Sequence, residues 1–395
     1  MGALAVAMGI GRFAFTPLLP MMLADGLLDL HGASWLASAN YLGYLTGALL
    51  CVAQPYVWAR VPRLPALRSA GLIRGGLVAT VVLTVAMAPG HWPSTWPALR
   101  FAAGVASAIV FVHTSGWCLA RLAEANASAL GGAIYAGPGM GIVLSGLFAS
   151  AMLSWDWPSW AGWSIFAGLA ALLVGAVWPV FRGGPSVRAA APAPGAAAAP
   201  PARNGLELGC LTLAYGLAGF GYIITATFLP VIARQALPGS PWIDLFWPIF
   251  GFGVMAGALL ATRLPTTGET RFLLAGSYLI QATGIGLSLA LPNTAGFALG
   301  SLLLGLPFTA LTFFAMQEVR RLRPRTAASF MGLLTAMFGV GQIVGPPLVA
   351  LVLRHTADAG RGFTVSLGIA TVALLVGAVA YLAMVRAFPR SVTPA

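Results

Sequence analysis

Apolar positions run along this chain in long stretches separated by short polar breaks, with no sustained alternation and no narrow one-sided stripe. A helix needs roughly 20 mostly apolar residues to cross a bilayer. Cutting at the loop signals predicts spans at 2–24, 34–58, 69–89, 96–121, 129–152 and 160–181, then at 206–234, 242–262, 272–291, 296–319, 328–353 and 363–386. Turn chemistry marks two of the hairpins, at 89–94 and 291–294.

The pattern repeats. Gly9-Ile-Gly-Arg12-Phe-Ala-Phe-Thr-Pro-Leu-Leu-Pro20 returns 210 positions later as Gly219-Phe-Gly-Tyr222-Ile-Ile-Thr-Ala-Thr-Phe-Leu-Pro230, matching Gly9/Gly219, Gly11/Gly221 and Pro20/Pro230. The same offset aligns Gly43 with Gly253 and Gly47 with Gly257. Offsets of 201 and 200 then align Gly104 with Gly305 and Gly139-Met-Gly141 with Gly339-Val-Gly341. A repeat of six spans keeps both halves in one orientation, related by an axis along the membrane normal, which disfavours folds built on inverted odd-numbered repeats. The expected organisation is a six-helix unit at 1–181, an Ala- and Pro-rich tether at 182–205, and a second six-helix unit at 206–395. The matched glycines and prolines, Gly9, Gly11, Pro20, Gly219, Gly221 and Pro230 among them, are expected to serve helix packing or gating.

Composition places all this in a bilayer. Of 395 residues, 59% are hydrophobic and 8% charged, with a mean hydropathy of +0.88, so a water-facing surface cannot be assembled. The apolar run begins at Met1 and carries its Arg in the middle, unlike a cleaved signal peptide. Net charge is +12, all of it from Arg, yet the placement of those Arg argues against nucleic acid. Arg60, Arg63, Arg68, Arg121, Arg182, Arg188, Arg203, Arg263, Arg271, Arg320, Arg321, Arg323, Arg325, Arg386 and Arg390 fall at one set of span ends, while Arg234, Arg354 and Arg361 lie at the other. The positive-inside rule then puts both termini and the tether in the cytoplasm. Trp35, Trp92, Trp96, Trp155, Trp157, Trp160 and Trp242 crowd the opposite interface as an aromatic belt. Cys51, Cys118 and Cys210 show no paired spacing, so neither a disulfide framework nor a metal is indicated.

Candidate chemistry is sparse. Arg12 sits mid-span with no acid in any span centre, and a charge there costs at least a few kcal/mol unless it faces a wet cavity. Either it awaits an anionic ligand, which guanidinium grips bidentately, or it bonds carbonyls of a helix broken near Gly9, Gly11 and Pro17. Arg100 shares a helical face with Gly104, Ser107 and Phe111. A pair with Asp25 or Asp29 competes there with ligand or proton coupling. His113 is the histidine inside a span, read as a hydrogen-bonding residue or a proton carrier. Asn40, Tyr44, Tyr135, Tyr222, Thr225, Thr309, Thr312 and Gln342 form a polar set that serves as interhelical glue or lines a central cavity. Gly137-Pro138-Gly-Met-Gly141 follows no strand and reads as close helix packing or a bend rather than a phosphate loop. No zinc signature, P-loop or nucleophile elbow stands in a fitting context, so neither hydrolysis nor ATP-driven work is supported.

On these motifs the chain resembles a twelve-helix transporter of the major facilitator superfamily, an all-α membrane fold. Gly9 to Pro20 with Trp35-Leu-Ala-Ser-Ala-Asn-Tyr-Leu-Gly-Tyr44 is similar to its bacterial YbfB/YjiJ-like branch. Arg100-Phe-Ala-Ala-Gly104 is similar to a fourth-helix motif that the family associates with proton coupling, although Ala103 replaces its usual polar residue. Gly132 to Gly141 is similar to a fifth-helix motif common in antiporters, partly echoed by Gly345-Pro-Pro347. Gln54-Pro-Tyr-Val-Trp-Ala-Arg60 lacks the acid of the family's gating loop. The resemblance implies a monomeric secondary transporter of the bacterial inner membrane, without cofactor, rocking about a midplane site. Arg12 would hold an anionic group on a small solute, Asn40, Tyr44, Tyr222 and Thr225 would orient it, and Arg100 or His113 would couple protons. A proton-driven exporter of hydrophobic compounds is the nearest alternative, and a membrane receptor or scaffold without transport is the alternative from another class.

Overall fold

A computed structural model describes residues 1–60, 68–89, 93–181, 205–264, 268–323 and 327–389. It is helical, with α1 Gly2–Ala24, α2 Leu30–Arg60, α3 Ser69–Val85, α4 Trp96–Glu124, α5 Leu130–Ser154, α6 Ser159–Phe181, α7 Gly205–Ala236, α8 Phe246–Ala261, α9 Thr270–Ala290, α10 Thr294–Leu322, α11 Ala327–Arg354 and α12 Ala359–Ala387. Among the described residues, eleven helical stretches are long and apolar enough to cross a bilayer, and α3 is a shorter apolar helix. The tether expected at 182–205 lies, apart from Gly205, outside the described residues, as do Trp92, Arg63, Arg182, Arg188, Arg203, Arg325 and Arg390.

The repeat read from spacing is a repeat of helix crossings. Side chains on Gly9 and Gly141 would collide with the facing backbone where α1 crosses α5, and on Gly219 and Gly341 where α7 crosses α11. Gly43, Gly47 and Gly104 bring α2 against α4 in the same way, and Gly253, Gly257 and Gly305 bring α8 against α10. Small residues permit this because lipid supplies no hydrophobic drive between helices, so close backbone packing must hold them. The motif at Gly137 to Gly141 packs closely too: Gly137 faces the Met1 carbonyl and Gly139 the Gly251 carbonyl. Pro138 is buried between them.

The halves meet along α2 with α11, α5 with α8, and α1 with α7. α1 and α7 are enclosed nearly all round, whereas α6 and α12 present most of their surface outward. Leu172, Leu213, Phe252 and Val379 are among the exposed apolar side chains, a surface that suits acyl tails.

The two halves are not identical in detail. Gly11 and Gly221 match in sequence but do not share the backbone crossings of Gly9 and Gly219. Two residues on, each points to the other side of its helix. A side chain on Gly11 would meet Thr80 of α3 and Ser107 of α4, and one on Gly221 would meet the Leu374 side chain of α12. Gly221 is thus a packing contact between α7 and α12, within the second half. Pro20 and Pro230 are both buried inside their helices.

Helix ends differ as well. α2 and α12 each begin four residues earlier than predicted, because Asp29 accepts from the Gly32 amide and Asp358 from the Arg361 amide, capping residues read as loop. α3 ends at Val85 rather than 89, and α10 is interrupted between Gly305 and Phe308, at Pro307. Trp96 is buried in the core and does not join the interfacial belt, while Trp35, Trp155, Trp157, Trp160 and Trp242 are exposed as expected of one.

Candidate functional site

α1 is not a regular helix. Ala5–Ile10 is a π-helical segment, Gly11 to Ala14 are turn residues, and the α-helix resumes at Phe15. The amides of Gly11 and Phe13 reach back five residues, to Val6 at 2.8 Å and Met8 at 3.1 Å. Pro17 has no N–H, and the Thr16 amide bonds the Phe13 carbonyl at 3.1 Å. The Arg12 carbonyl thereby loses its helical donor.

Arg100 of α4 replaces it. Its Nη2 donates to the Arg12 carbonyl at 2.9 Å and its Nη1 to the Gly11 carbonyl at 3.4 Å, with the ring of Phe15 5.2 Å from the guanidinium. Ser107, on the same face of α4, donates to the Ala7 carbonyl at 2.6 Å. The repeat-aligned positions in the second half are Ser301 and Phe308, and the matching helix α7 is continuous. A broken helix and its guanidinium support therefore occur together in one half and are absent together in the other.

Two readings of the buried arginines change. The broken helix is bonded by Arg100, whereas the Arg12 side chain points elsewhere. Arg100 forms no ion pair among the described residues with Asp25 or Asp29, which accept from the backbone amides of Ser159 and Gly32.

The Arg12 side chain is 4% exposed and reaches across to the second half. Its Nη2 donates to Gln342 Oε1 of α11 at 2.5 Å, and Gln342 Nε2 donates in turn to the Tyr222 hydroxyl of α7. The guanidinium carbon lies 4.0 Å from the ring centre of Tyr44, 5.4 Å from Tyr41 and 5.3 Å from Phe13. Tyr222 stacks on Phe338 at 5.6 Å and meets Phe308 edge-on at 5.0 Å, and Tyr215 lies 5.0 Å from Phe338. Cation–π contact is worth up to about 2 kcal/mol when desolvated. It offsets part of the burial cost and supplies no countercharge.

The acids are committed elsewhere. At the Arg-rich end Arg271, fully buried, bonds Glu207 and also Glu318 at 2.8 Å, and Arg321 bonds Glu318 at 2.6 Å. Glu269 lies 3.6 Å from Arg271. Arg271 also donates to the carbonyls of Met384 and Phe388, tying α9 to the end of α12. Glu124 pairs with Arg121 and Asp244 with Arg234, while Asp358 caps a helix and Asp156 is exposed at the Trp-rich end. Among the described residues, Arg12 has no carboxylate partner.

Of the other expected site residues, Tyr44 and Tyr222 join this group. Asn40 instead donates to the Arg100 carbonyl at 2.9 Å, clasping α2 to α4 beside Gly104. Tyr135 and Thr309 face one another across a gap of about 20 Å³ with Gly132, Thr262 and Phe313. Thr225 is buried with its hydroxyl unpartnered, and Thr312 accepts from Tyr215 at 2.9 Å. His113 is half-buried and lies about 140° round α4 from Arg100, on another face.

On the Trp-rich side of Arg12 the halves are bonded shut. Thr16 donates to the Ala226 carbonyl at 3.1 Å, Ser38 to the Ile343 carbonyl at 2.9 Å, and Tyr41 meets Thr227 at 2.9 Å. Farther out Arg354 of α11 lies 2.9 Å from His31 of α2. On the Arg-rich side Tyr44, Thr312 and Phe338 are half-buried.

A family model described as the uncharacterised MFS-type transporter YbfB matches residues 4–382. The chain belongs to this family of major facilitator transporters. Over 373 residues it is 27% identical to a chloramphenicol resistance protein of Streptomyces lividans, covering 89% of this chain and 87% of that one. The nucleoside transporter NupG superposes with a TM-score of 0.70 at 17% identity, covering 99% of this chain and 98% of that chain. A bacterial homologue of the lysosomal transporter Spinster, inward-facing and unoccupied, gives 0.64 at 13%, covering 98% and 96%. These likenesses establish the twelve-helix major facilitator fold and a multi-pass membrane protein.

Sequence reasoning missed several residues of this YbfB-family chain. Tyr41, Phe13, Phe308 and Phe338 surround the Arg12 group and read simply as apolar residues of their spans. Arg74, inside α3, donates to the Trp178 carbonyl at 3.2 Å, and its charge in an apolar run was the signal available.

Proposed function

We propose that this protein is a secondary transporter that carries a small organic solute bearing an anionic group, held at Arg12. The observation behind this reading is a buried guanidinium that aromatic rings and a neutral amide surround, with no carboxylate bonded to it. The two halves, 1–181 and 206–395, would rock about this midplane group with 182–205 as their tether, exposing it to each side in turn. Tyr44 and Tyr222 would orient the solute, with Thr225 and Asn40 behind them. Tyr135, Thr309 and Thr312 would line the path on the Arg-rich side. Protons would couple through His113 of α4, with Arg100 holding the α1 turn. The protein would work as a monomer in the bacterial inner membrane, with its Arg-rich end in the cytoplasm.

Counterflow in proteoliposomes, run with small carboxylates, sulfonates, sugars and cationic drugs, tests the reading. Anions are accepted, and Arg12→Ala lowers the rate about 10- to 100-fold, the scale of losing a charge-assisted hydrogen bond. Arg12→Lys restores little of it, because an ammonium cannot form the planar fork. Wild-type rates in both variants remove Arg12 from the mechanism.

Export of a drug-like compound is a second reading, favoured by the likeness to the Streptomyces lividans chloramphenicol resistance protein and by the aromatic walls. Overexpression in a sensitive bacterial host then raises the tolerated chloramphenicol concentration. An unchanged tolerance with protein present in the membrane discards it.

A further inference from the structure

The guanidinium of Arg12 is half-filled in a particular way. Nε–H and one Nη2–H lie along one edge and together form the fork that a carboxylate grips side-on. Gln342 accepts from Nη2 at 2.5 Å, while Nε is buried with no partner among the described residues. An amide offers a single acceptor oxygen and no net charge. It can fill one tine and cannot neutralise the cation.

We propose that Gln342 is a built-in stand-in for the solute: its amide oxygen rests where one oxygen of a planar carboxylate binds, and the solute is a monocarboxylate with a flat, unsaturated body. The proposal rests on Arg12 being the anion-binding group, and it adds both the placeholder and the shape of the passenger. A carboxylate entering the fork fills Nη2 and Nε together, satisfying the unpaired donor as it supplies the missing charge. Arg100 directs its Nη1 and Nη2 to the carbonyls of Gly11 and Arg12, so those donors are already engaged and Arg12 is the guanidinium that faces the aromatic group. Flatness follows from the walls. Tyr44 presents its face to the guanidinium, and the stacked Tyr222 and Phe338 stand beside Gln342. Tyr44 and Phe338 are half-buried rather than enclosed.

The placeholder also sits across the moving joint. Arg12 belongs to the first half and Gln342 to the second, so exchanging the amide for a solute removes a bond between halves. Gln342 keeps its donor bond to Tyr222, on its own half, as it lets go.

Benzoate is the probe, with benzamide as its neutral isostere, cyclohexanecarboxylate as its non-planar counterpart and benzenesulfonate as its tetrahedral one. Affinity is measured by calorimetry on purified protein and supported by thermal shift. Wild type binds benzoate more tightly than cyclohexanecarboxylate or benzenesulfonate and does not bind benzamide. Gln342→Ala and the shape-conserving Gln342→Met bind benzoate about tenfold more tightly, equal to ~1.4 kcal/mol of competition removed. Gln342→Glu loses binding, because its carboxylate fills the fork. Circular dichroism and gel filtration identify variants that fold, and Gln342→Met carries the test should Gln342→Ala not. Unchanged or weaker benzoate binding in Gln342→Met, or wild-type binding in Gln342→Glu, overturns the placeholder. If Arg12→Ala still abolishes binding in that case, the Arg12 reading stands alone. Equal binding of benzoate and benzamide, or no benzoate binding by wild type, overturns the carboxylate class, and a preference for benzenesulfonate or cyclohexanecarboxylate overturns the planar one.

Discussion

A guanidinium carries five N–H donors, and α1 and α4 each bury one such group within a few ångströms of the same turn. The Arg100 group gives its Nη donors to carbonyls that the π-segment and Pro17 release, while the Arg12 group reaches a neutral amide and three rings. Arg100 thus braces the α1 backbone beside Arg12, and a positioning role would act through that backbone. Arg100→Lys retains the charge but replaces the planar two-pronged group by a shorter, single-atom ammonium that cannot reproduce the present geometry at both carbonyls. The expected result is a several-fold higher KM for the Arg12-dependent solute, a kcat that changes less, and a destabilisation of about 1–3 kcal/mol. Kinetics in proteoliposomes with a thermal melt check this, and a fall in kcat with KM unchanged would refute the positioning role. In the sequence, Arg12 stands out because a charge interrupts an apolar run, whereas the division of labour does not. It depends on an i to i−5 bonding pattern that composition does not encode and on a contact 88 residues away.

At the level of whole helices, two prolines create acceptors that the opposite half uses. Pro230 in α7 has no N–H for the Ala226 carbonyl, and Thr16 of α1 donates to it. Pro347 in α11 has none for the Ile343 carbonyl, and Ser38 of α2 donates there. Thr16 and Ala226 are repeat-equivalent positions, 210 apart, so the pseudo-two-fold axis passes close to their bond. Each bond is worth about 0.5–1.5 kcal/mol net. The double variant Thr16→Val with Ser38→Ala should shift the population toward opening at the Trp-rich end. A reporter thiol placed by Phe228→Cys should react several-fold faster with a membrane-impermeant maleimide in that background. Equal reactivity would show that these bonds do not hold the closure. The prolines are plain in the sequence, and Pro230 is recognisable there as a landmark of the repeat. Their freed carbonyls acquire meaning only once the halves are placed face to face.

Across the whole molecule, the six-plus-six plan was legible because bilayer thickness imposes span length and backbone crossings impose glycine. The offsets near 200 and 210 are preserved crossings: Gly9 with Gly141 in one half, Gly219 with Gly341 in the other. What the repeat hid is its own asymmetry. α1 is broken where α7 is continuous, and α10 is interrupted where α4 runs through. The pair Gly11 and Gly221 shows the same limit, since equal spacing there leads to different neighbours, α3 and α4 for one and α12 for the other. Asp29 and Asp358 as helix caps, the enclosure of Trp96 and the bonding of Arg271 depend on side-chain geometry and on neighbours far along the chain, and span-by-span reading has no access to them.

The hydroxyl closures bear on how the carrier turns over. A serine or threonine in a helix can swing back to a carbonyl one turn behind it, so Ser38 can return to the Ser34 carbonyl when the halves part. A vacated proline acceptor then takes a water molecule. Ser38 thereby keeps a partner in either orientation, which narrows the free-energy difference between the two orientations. Cargo needs only a modest preference for one of them to set the direction of the swing.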